Sequence, residues 1–221
     1  MADLTLVVVG KDNAAVLAFD QHHWGGAAVR LVPNIDGDPL SEIANWHLEL
    51  STRPVFGLCH ADAVFGPGAL EAFTAEAMRG AVCGIVGVDL AGVYHCSYNS
   101  DRDRWWKGDQ RIGEPGQVST LDCMAVFFRK DLGISFDEEE FDSFHCHVED
   151  LCLQAHARGI PVTVPAADAH HRNHTQAPEF LADYRKYRAR LAEKWKGTEF
   201  RTCDLMIPIT GTSKIGGAVE N

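Results

Sequence analysis

Nowhere does the sequence hold an apolar run long enough to cross a bilayer, which takes about 20 residues. The run LTLVVV near the N-terminus is only strand length. A basic segment ahead of it is missing too, so the start reads as a buried first strand and not as a secretory signal. Cysteines number seven, an odd count, scattered and without a CxxC pair. That argues against a disulfide frame and for reduced thiols in a cytoplasmic protein. Positive charge is scarce: 20 Lys+Arg stand against 31 Asp+Glu, a net charge of −11. Such a surface is too acidic to track phosphates generically, which disfavours a nucleic-acid partner. Internal repeats and low-complexity segments are absent as well. What remains is an ordinary globular composition, 46% hydrophobic and 23% charged over 221 residues, enough for one domain with a full core.

Leu4–Val9 has the unbroken apolar character of a strand buried on both faces. Val29–Val32 predicts a second strand, closed by Pro33 and the turn-rich NIDGDP. Asp38 before Pro39 makes an N-cap and first-turn pair for a helix to about Leu50. Val55–Cys59 predicts a strand, Gly68–Met78 a helix and Cys83–Asp89 a further strand. Residues 97–117 are polar and turn-rich and predict a long loop, a feature usually functional in a compact domain. Strands are expected at Met124–Phe128 and Val162–Val164, with a helix at Glu149–Arg158 stopped by Gly159. Phe180–Trp195 predicts an amphipathic helix with Phe180, Tyr184, Tyr187 and Leu191 on one face. The alternation implies an α/β fold with a mostly parallel sheet, whose ligands bind at the carboxyl ends of the strands.

Several residue groups suit chemistry at that edge. His60 and Asp62 follow the third strand; an imidazole and a carboxylate there would hold a divalent cation against a diphosphate, or Asp62 simply caps a turn. Glu149-Asp150 opens a helix, where acidic side chains also stabilise the helix dipole. Asp36 and Asp38 follow the second strand and equally suit a turn. His170, His171 and His174 follow a strand and form HHxxH. The set His145, Cys146, His147, Cys152 and His156 raises a structural zinc site, but lacks the two close pairs of the usual knuckles.

The order of these pieces carries more than any one of them. A strand ending in HAD, then LDCMAVFFRKD, then FHCHVEDLCLQAHARGIPVTVP, then HHRNH resembles the inverting GT-A glycosyltransferases of the family-two-like kind. The similarity is greatest to the subgroup of streptomycin-biosynthesis-type glycosyltransferase-like proteins, whose metal motif reads His-x-Asp. It runs from about Leu4 to Trp195, is specific in 56–70, 121–131 and 141–171, and ends after Gly197. It implies a Rossmann-like nucleotide-diphospho-sugar transferase fold over residues 1–197, with 198–221 as a C-terminal tail.

The resemblance also implies roles. Asp62 matches the last carboxylate of the metal motif, His60 stands where most members have the first Asp, and His171 falls at a further metal ligand, with His170 and His174 close by. An imidazole in that set favours Mn2+ over Mg2+. Asp150 matches the general base and Glu149 its neighbour. Asp36 matches the carboxylate at the uracil or ribose, Asp12 and Asn13 lie toward the nucleotide base, and Asp122 approaches donor sugar and acceptor. The implied reaction moves a sugar from a nucleotide-diphosphate donor, a UDP-sugar above all, to an acceptor hydroxyl. Glycan, metabolite, protein and modified nucleic acid all stand open as acceptor. A nucleotidyltransferase would want a Gly-rich basic loop after the first strand, where GKDNAAV supplies only Lys11. A nucleotide-sugar binder without activity is a third reading, which Asp62, Asp150 and the histidines weigh against and His60 keeps open.

Two further expectations concern the loop and the tail. In RDRWWKGDQR, Trp105 or Trp106 would form a stacking platform for the acceptor, with Arg102, Arg104, Lys107 and Arg111 toward phosphates; alternatively one ring anchors the loop and the other lies on the surface. The tail from about Thr202, with its apolar LMIPI, is either disordered or an element that joins a second copy into a homo-oligomer.

Overall fold

The apolar first run owes its burial to its place inside a sheet, flanked by a strand on each edge. The computed structural model describes residues 3–17, 26–97, 111–171 and 178–203. Trp105, Trp106, His174 and the residues from 204 onward lie outside them, and with them the acceptor platform and the oligomerising tail. In chain order the elements are β1 (Leu4–Gly10), α1 (Asn13–Leu17), β2 (Ala28–Pro33), α2 (Leu40–Leu50), β3 (Val55–His60), β4 (Ala63–Phe65) and α3 (Ala69–Met78). There follow β5 (Val82–Gly84), β6 (Val86–Val88), β7 (Val93–Cys96), β8 (Arg111–Gly113), β9 (Gly116–Gln117), β10 (Thr120–Leu121) and β11 (Ala125–Arg129). The last are α4 (His147–Ala157), β12 (Val162–Val164), β13 (Ala169–His171) and α5 (Pro178–Lys194).

The central sheet has seven strands in the order β2-β1-β3-β11-β5-β12-β9. Five of them, β1, β2, β3, β5 and β12, run one way; β11 is antiparallel to both its neighbours and β9 to β12. The architecture is thus mixed α/β with a mostly parallel central sheet. No helix among the described residues is long and apolar enough to cross a membrane. Side chains alternate along β1, Leu4, Leu6 and Val8 joining the core under α3, Val7 and Val9 the core under α2 and α4. Phe56, Phe73, Phe127 and Phe128 are fully buried in these two layers, each worth about 1.5–3 kcal/mol of transfer free energy. A third cluster under α5 joins Tyr184, Tyr187 and Leu191 to Phe141, Cys146, Leu153 and Phe200.

The structure corrects five local expectations. Asp38 does not cap α2, whose cap residue is Pro39 with no side-chain bond. Instead the Asn34 side chain clips the turn, receiving the Asp38 N–H and donating to the Asp38 carbonyl, each at 2.8 Å. The run Cys83–Asp89 is two strands, β5 in the central sheet and β6 in a second sheet of order β10-β6-β7-β8. At the junction a Cβ on Gly84 would lie 2.6 Å from the Ala125 carbonyl oxygen. Gly84→Ala is therefore expected to cost about 1–3 kcal/mol by overpacking against backbone that cannot yield, read as a lower urea midpoint at unchanged slope. The C-terminal part of the polar stretch 97–117 forms strands, β8 beside β7 and β9 beside β12. The acidic-pair helix starts two residues early, at His147, and His170 and His171 lie within β13 instead of after a strand.

The chain past Gly197 stays with the body as far as Cys203. Phe200 is buried, and Arg201 N–H donates to Ser119 Oγ at 3.0 Å while its carbonyl accepts from Thr120 Oγ1 at 2.5 Å.

Candidate functional site

Parallel β1, β2 and β3 end together, Val9 pairing with His60 and Gly10 with Pro33. Because β11 runs the other way, it begins at that same edge, Ala125 opposite Cys59. The His60 N–H donates to the Met124 carbonyl at 2.9 Å and the Ala61 N–H to that of Val9 at 2.8 Å. The loops at 11–13, 34–38, 60–62 and 122–124 therefore meet at the carboxyl edge, where α/β sheets take ligands.

Around this edge, Asp12 Oδ1 accepts the Ala15 N–H at 2.8 Å and so caps α1, leaving Asn13 exposed as its first residue. Asp36 is exposed in the turn that Asn34 clips. Asp62 is half-buried between β3 and β4; after burial itself, its charge is what pushes the Cys59 thiol up. Antiparallel pairing of β13 with β4 sets His171 opposite Ala63, next to Asp62. Asp122 Oδ1 accepts the Met124 N–H at 3.1 Å, and its own N–H donates to Val86 at 2.9 Å. Among the described residues no three His, Cys, Asp or Glu side chains are arranged to hold a metal ion.

The acidic pair opens α4 behind Cys146, whose φ of 63° is the left-handed conformation that non-glycine residues avoid. Glu149 is 4% exposed and Asp150 0%. Asp150 Oδ1 accepts from Trp195 Nε1 and Lys194 Nζ, each at 2.7 Å, and Oδ2 from Gln154 Nε2 at 2.8 Å. All three donors belong to α4, α5 or the residue after α5; none comes from the loops of the edge. Three of the carboxylate's roughly four acceptor sites are taken up in this way. Asp150 thus ties α4 to the end of α5. Glu149 has a different neighbourhood. Burial first, then the charges of Asp122 and Glu149, pushes the Cys123 thiol up, so both carboxylates lie within electrostatic reach of that thiol.

A shell of rings completes the site. Phe144, 37% exposed, stacks obliquely on His60 with centroids 4.7 Å apart. His145 lies between Tyr184 and Tyr187 with Nε2 4.0 Å from Asp183, and burial holds its pKa at about 4 against the pull of that carboxylate. His147 is fully buried and neither ring nitrogen has a hydrogen-bond partner among the described residues. Burial, then His60 and His145, lowers it to about 3, so it is neutral at pH 7. His156 bonds the Ser119 carbonyl at 2.8 Å and Cys152 packs in the core, so this histidine–cysteine set is divided among separate tasks.

Reading the sequence did not find Lys194, Trp195 or Phe144. Only Gln154, four residues after Asp150 on one helix, had a local signal.

No model of a known protein family matches the chain, and no curated protein matches it. Among solved structures, the crystal structure of A197 from STIV is similar at a TM-score of 0.49 and 12% identity, over 78% of this chain and 86% of that one. That of S. aureus TarS 1–349 in complex with UDP is similar at a TM-score of 0.48 and 11% identity, over 90% of this chain and 67% of that one. Likeness at this level carries no argument about function.

Proposed function

We propose that the chain is a GT-A-type inverting glycosyltransferase that uses a nucleotide-diphosphate sugar, a UDP-sugar by preference. The observation that supports this reading is convergence: the loops after β1, β2 and β3 and before β11 meet at one sheet edge, where the charges of Asp122 and Glu149 both act on the buried Cys123 thiol. Asp12, Asn13 and Asp36 line the nucleotide end, Asp122 the sugar. Glu149 accepts the proton of the acceptor hydroxyl as that oxygen bonds the anomeric carbon and the nucleoside diphosphate departs. One displacement inverts the centre.

The hydrogen bonding of Asp150 supports Glu149 over it as base. A divalent cation, Mn2+ before Mg2+, would have Asp62 and His60 as donors from one loop, with His171 as third through the β4–β13 pairing. When bound, it would neutralise charge on the diphosphate. The described side chains hold only two of those donors, so no step is assigned to the ion.

The test is release of nucleoside diphosphate from a panel of nucleotide sugars, with and without Mn2+. Release from at least one donor is expected, falling about tenfold or more in Asp62→Ala if the carboxylate engages the diphosphate end. Release of inorganic diphosphate from a nucleoside triphosphate and a sugar phosphate would instead favour nucleotidyl transfer. Burial of the acidic pair favours a second reading, a binder without chemistry, which predicts calorimetric binding of the donor and no release at all.

A further inference from the structure

One ammonium grips both ends of the segment 137–150. Lys194 Nζ bonds Asp137 Oδ2 and Asp150 Oδ1, each at 2.7 Å. Trp195 Nε1 adds a bond at 2.7 Å to the same Asp150 oxygen. Asp137 Oδ1 in turn receives the N–H groups of Glu139 and Glu140 at 3.0 Å, closing the turn that starts the segment. Burial by itself would lower the Lys194 ammonium, but its two carboxylate partners outweigh that and hold it above its usual value.

The rest of this face of α5 continues the grip. Arg190 donates to the Glu140 carbonyl at 3.0 Å and to Asp142 Oδ1 at 2.8 Å. The Tyr187 hydroxyl donates to Asp142 at 2.7 Å, and Ser143 Oγ donates to Asp183 at 2.8 Å. Positions 183, 187, 190 and 194 form one helical stripe. What the stripe holds is functional in content: the segment carries Phe144 against His60, the left-handed Cys146, and Glu149. A left-handed cysteine persists only where its surroundings over-determine it, and the segment has its ends fixed through Asp137 and Asp150.

We propose that Lys194 and Trp195 are positioning residues of the transfer reaction. Through Asp137 and Asp150 they fix the turn at Cys146, and so set Glu149 and Phe144 at the sheet edge. This rests on the transferase reading above.

The experiment uses the full chain and the donor that releases nucleoside diphosphate. Lys194→Met keeps the aliphatic stem but leaves a buried carboxylate without its cation; kcat is expected to fall about 100-fold with donor KM within about threefold. Adding Asp150→Asn removes that uncompensated charge while an amide oxygen still accepts the Trp195 N–H, so the double variant should return to within about tenfold of wild type. Trp195→Phe should cost about tenfold in kcat with donor KM unchanged. Hydrogen exchange of the amides at 138–149 should quicken in Lys194→Met while β1 and β3 stay protected.

Unchanged kcat and exchange in Lys194→Met would overturn the proposal. So would a folded double variant as inactive as Asp150→Asn alone, since Asp150 would then do the chemistry itself. A wild-type chain that releases no nucleoside diphosphate would sink the transferase reading, and the exchange comparison would still decide whether Lys194 fixes the segment.

Discussion

Glu149→Gln is expected to slow sugar transfer about 100- to 10,000-fold, the usual worth of a positioned base, while donor binding and melting temperature change little. The substitution removes a proton acceptor and almost no volume. Asp150→Asn should behave differently, because its oxygens serve Lys194, Trp195 and Gln154. Losing one partner of a buried, hydrogen-bonded pair costs about 3–5 kcal/mol, so this variant should melt earlier before it says anything about chemistry. Single-turnover transfer, calorimetry of the nucleoside diphosphate and thermal melts on both variants separate the cases. Transfer by Glu149→Gln within a few-fold of wild type would remove Glu149 as base.

Acidification from about pH 6.5 to 4 is expected to destabilise the protein by several kcal/mol. The cause is two buried histidines, His147 at about 3 and His145 at about 4, both held by burial below the ordinary 6.5 of an imidazole. In this window the unfolded chain takes up protons that the folded chain refuses. Stability therefore falls as pH falls, at up to about 1.4 kcal/mol per pH unit for each histidine. His147 alone accounts for about 3 kcal/mol by pH 4. Below about pH 4 a second loss begins, as the carboxylates of Asp137 and Asp142, held under their usual range by bonds to Lys194 and to Tyr187 and Arg190, take up protons. Urea midpoints at pH 7, 5.5 and 4.5 measure the slope. His147→Leu should flatten it and cost little at pH 7, because the imidazole it removes has no hydrogen-bond partner among the described residues. An identical pH slope in that variant would show that His147 titrates normally in the folded protein.

Much of the fold was legible wherever the signal was local. β1 is an unbroken apolar run because both its faces are covered, and Tyr184, Tyr187 and Leu191 fall on one side of α5 because a helix repeats every 3.6 residues. The same periodicity cannot tell a strand's direction, so the reversal of β11 was invisible, although it is what brings Asp122 to the edge where His60 ends β3. Nor did it show that Cys83–Asp89 divides at Ile85 between two sheets, or that Gly84 lies against the Ala125 carbonyl on another strand. The acidic pair shows the same division. Two carboxylates opening a helix could be read along the chain, and so could their candidacy for proton transfer. What Asp150 bonds was decided by Lys194 and Trp195, far along the sequence, whose ammonium and indole N–H need a buried acceptor and find it there.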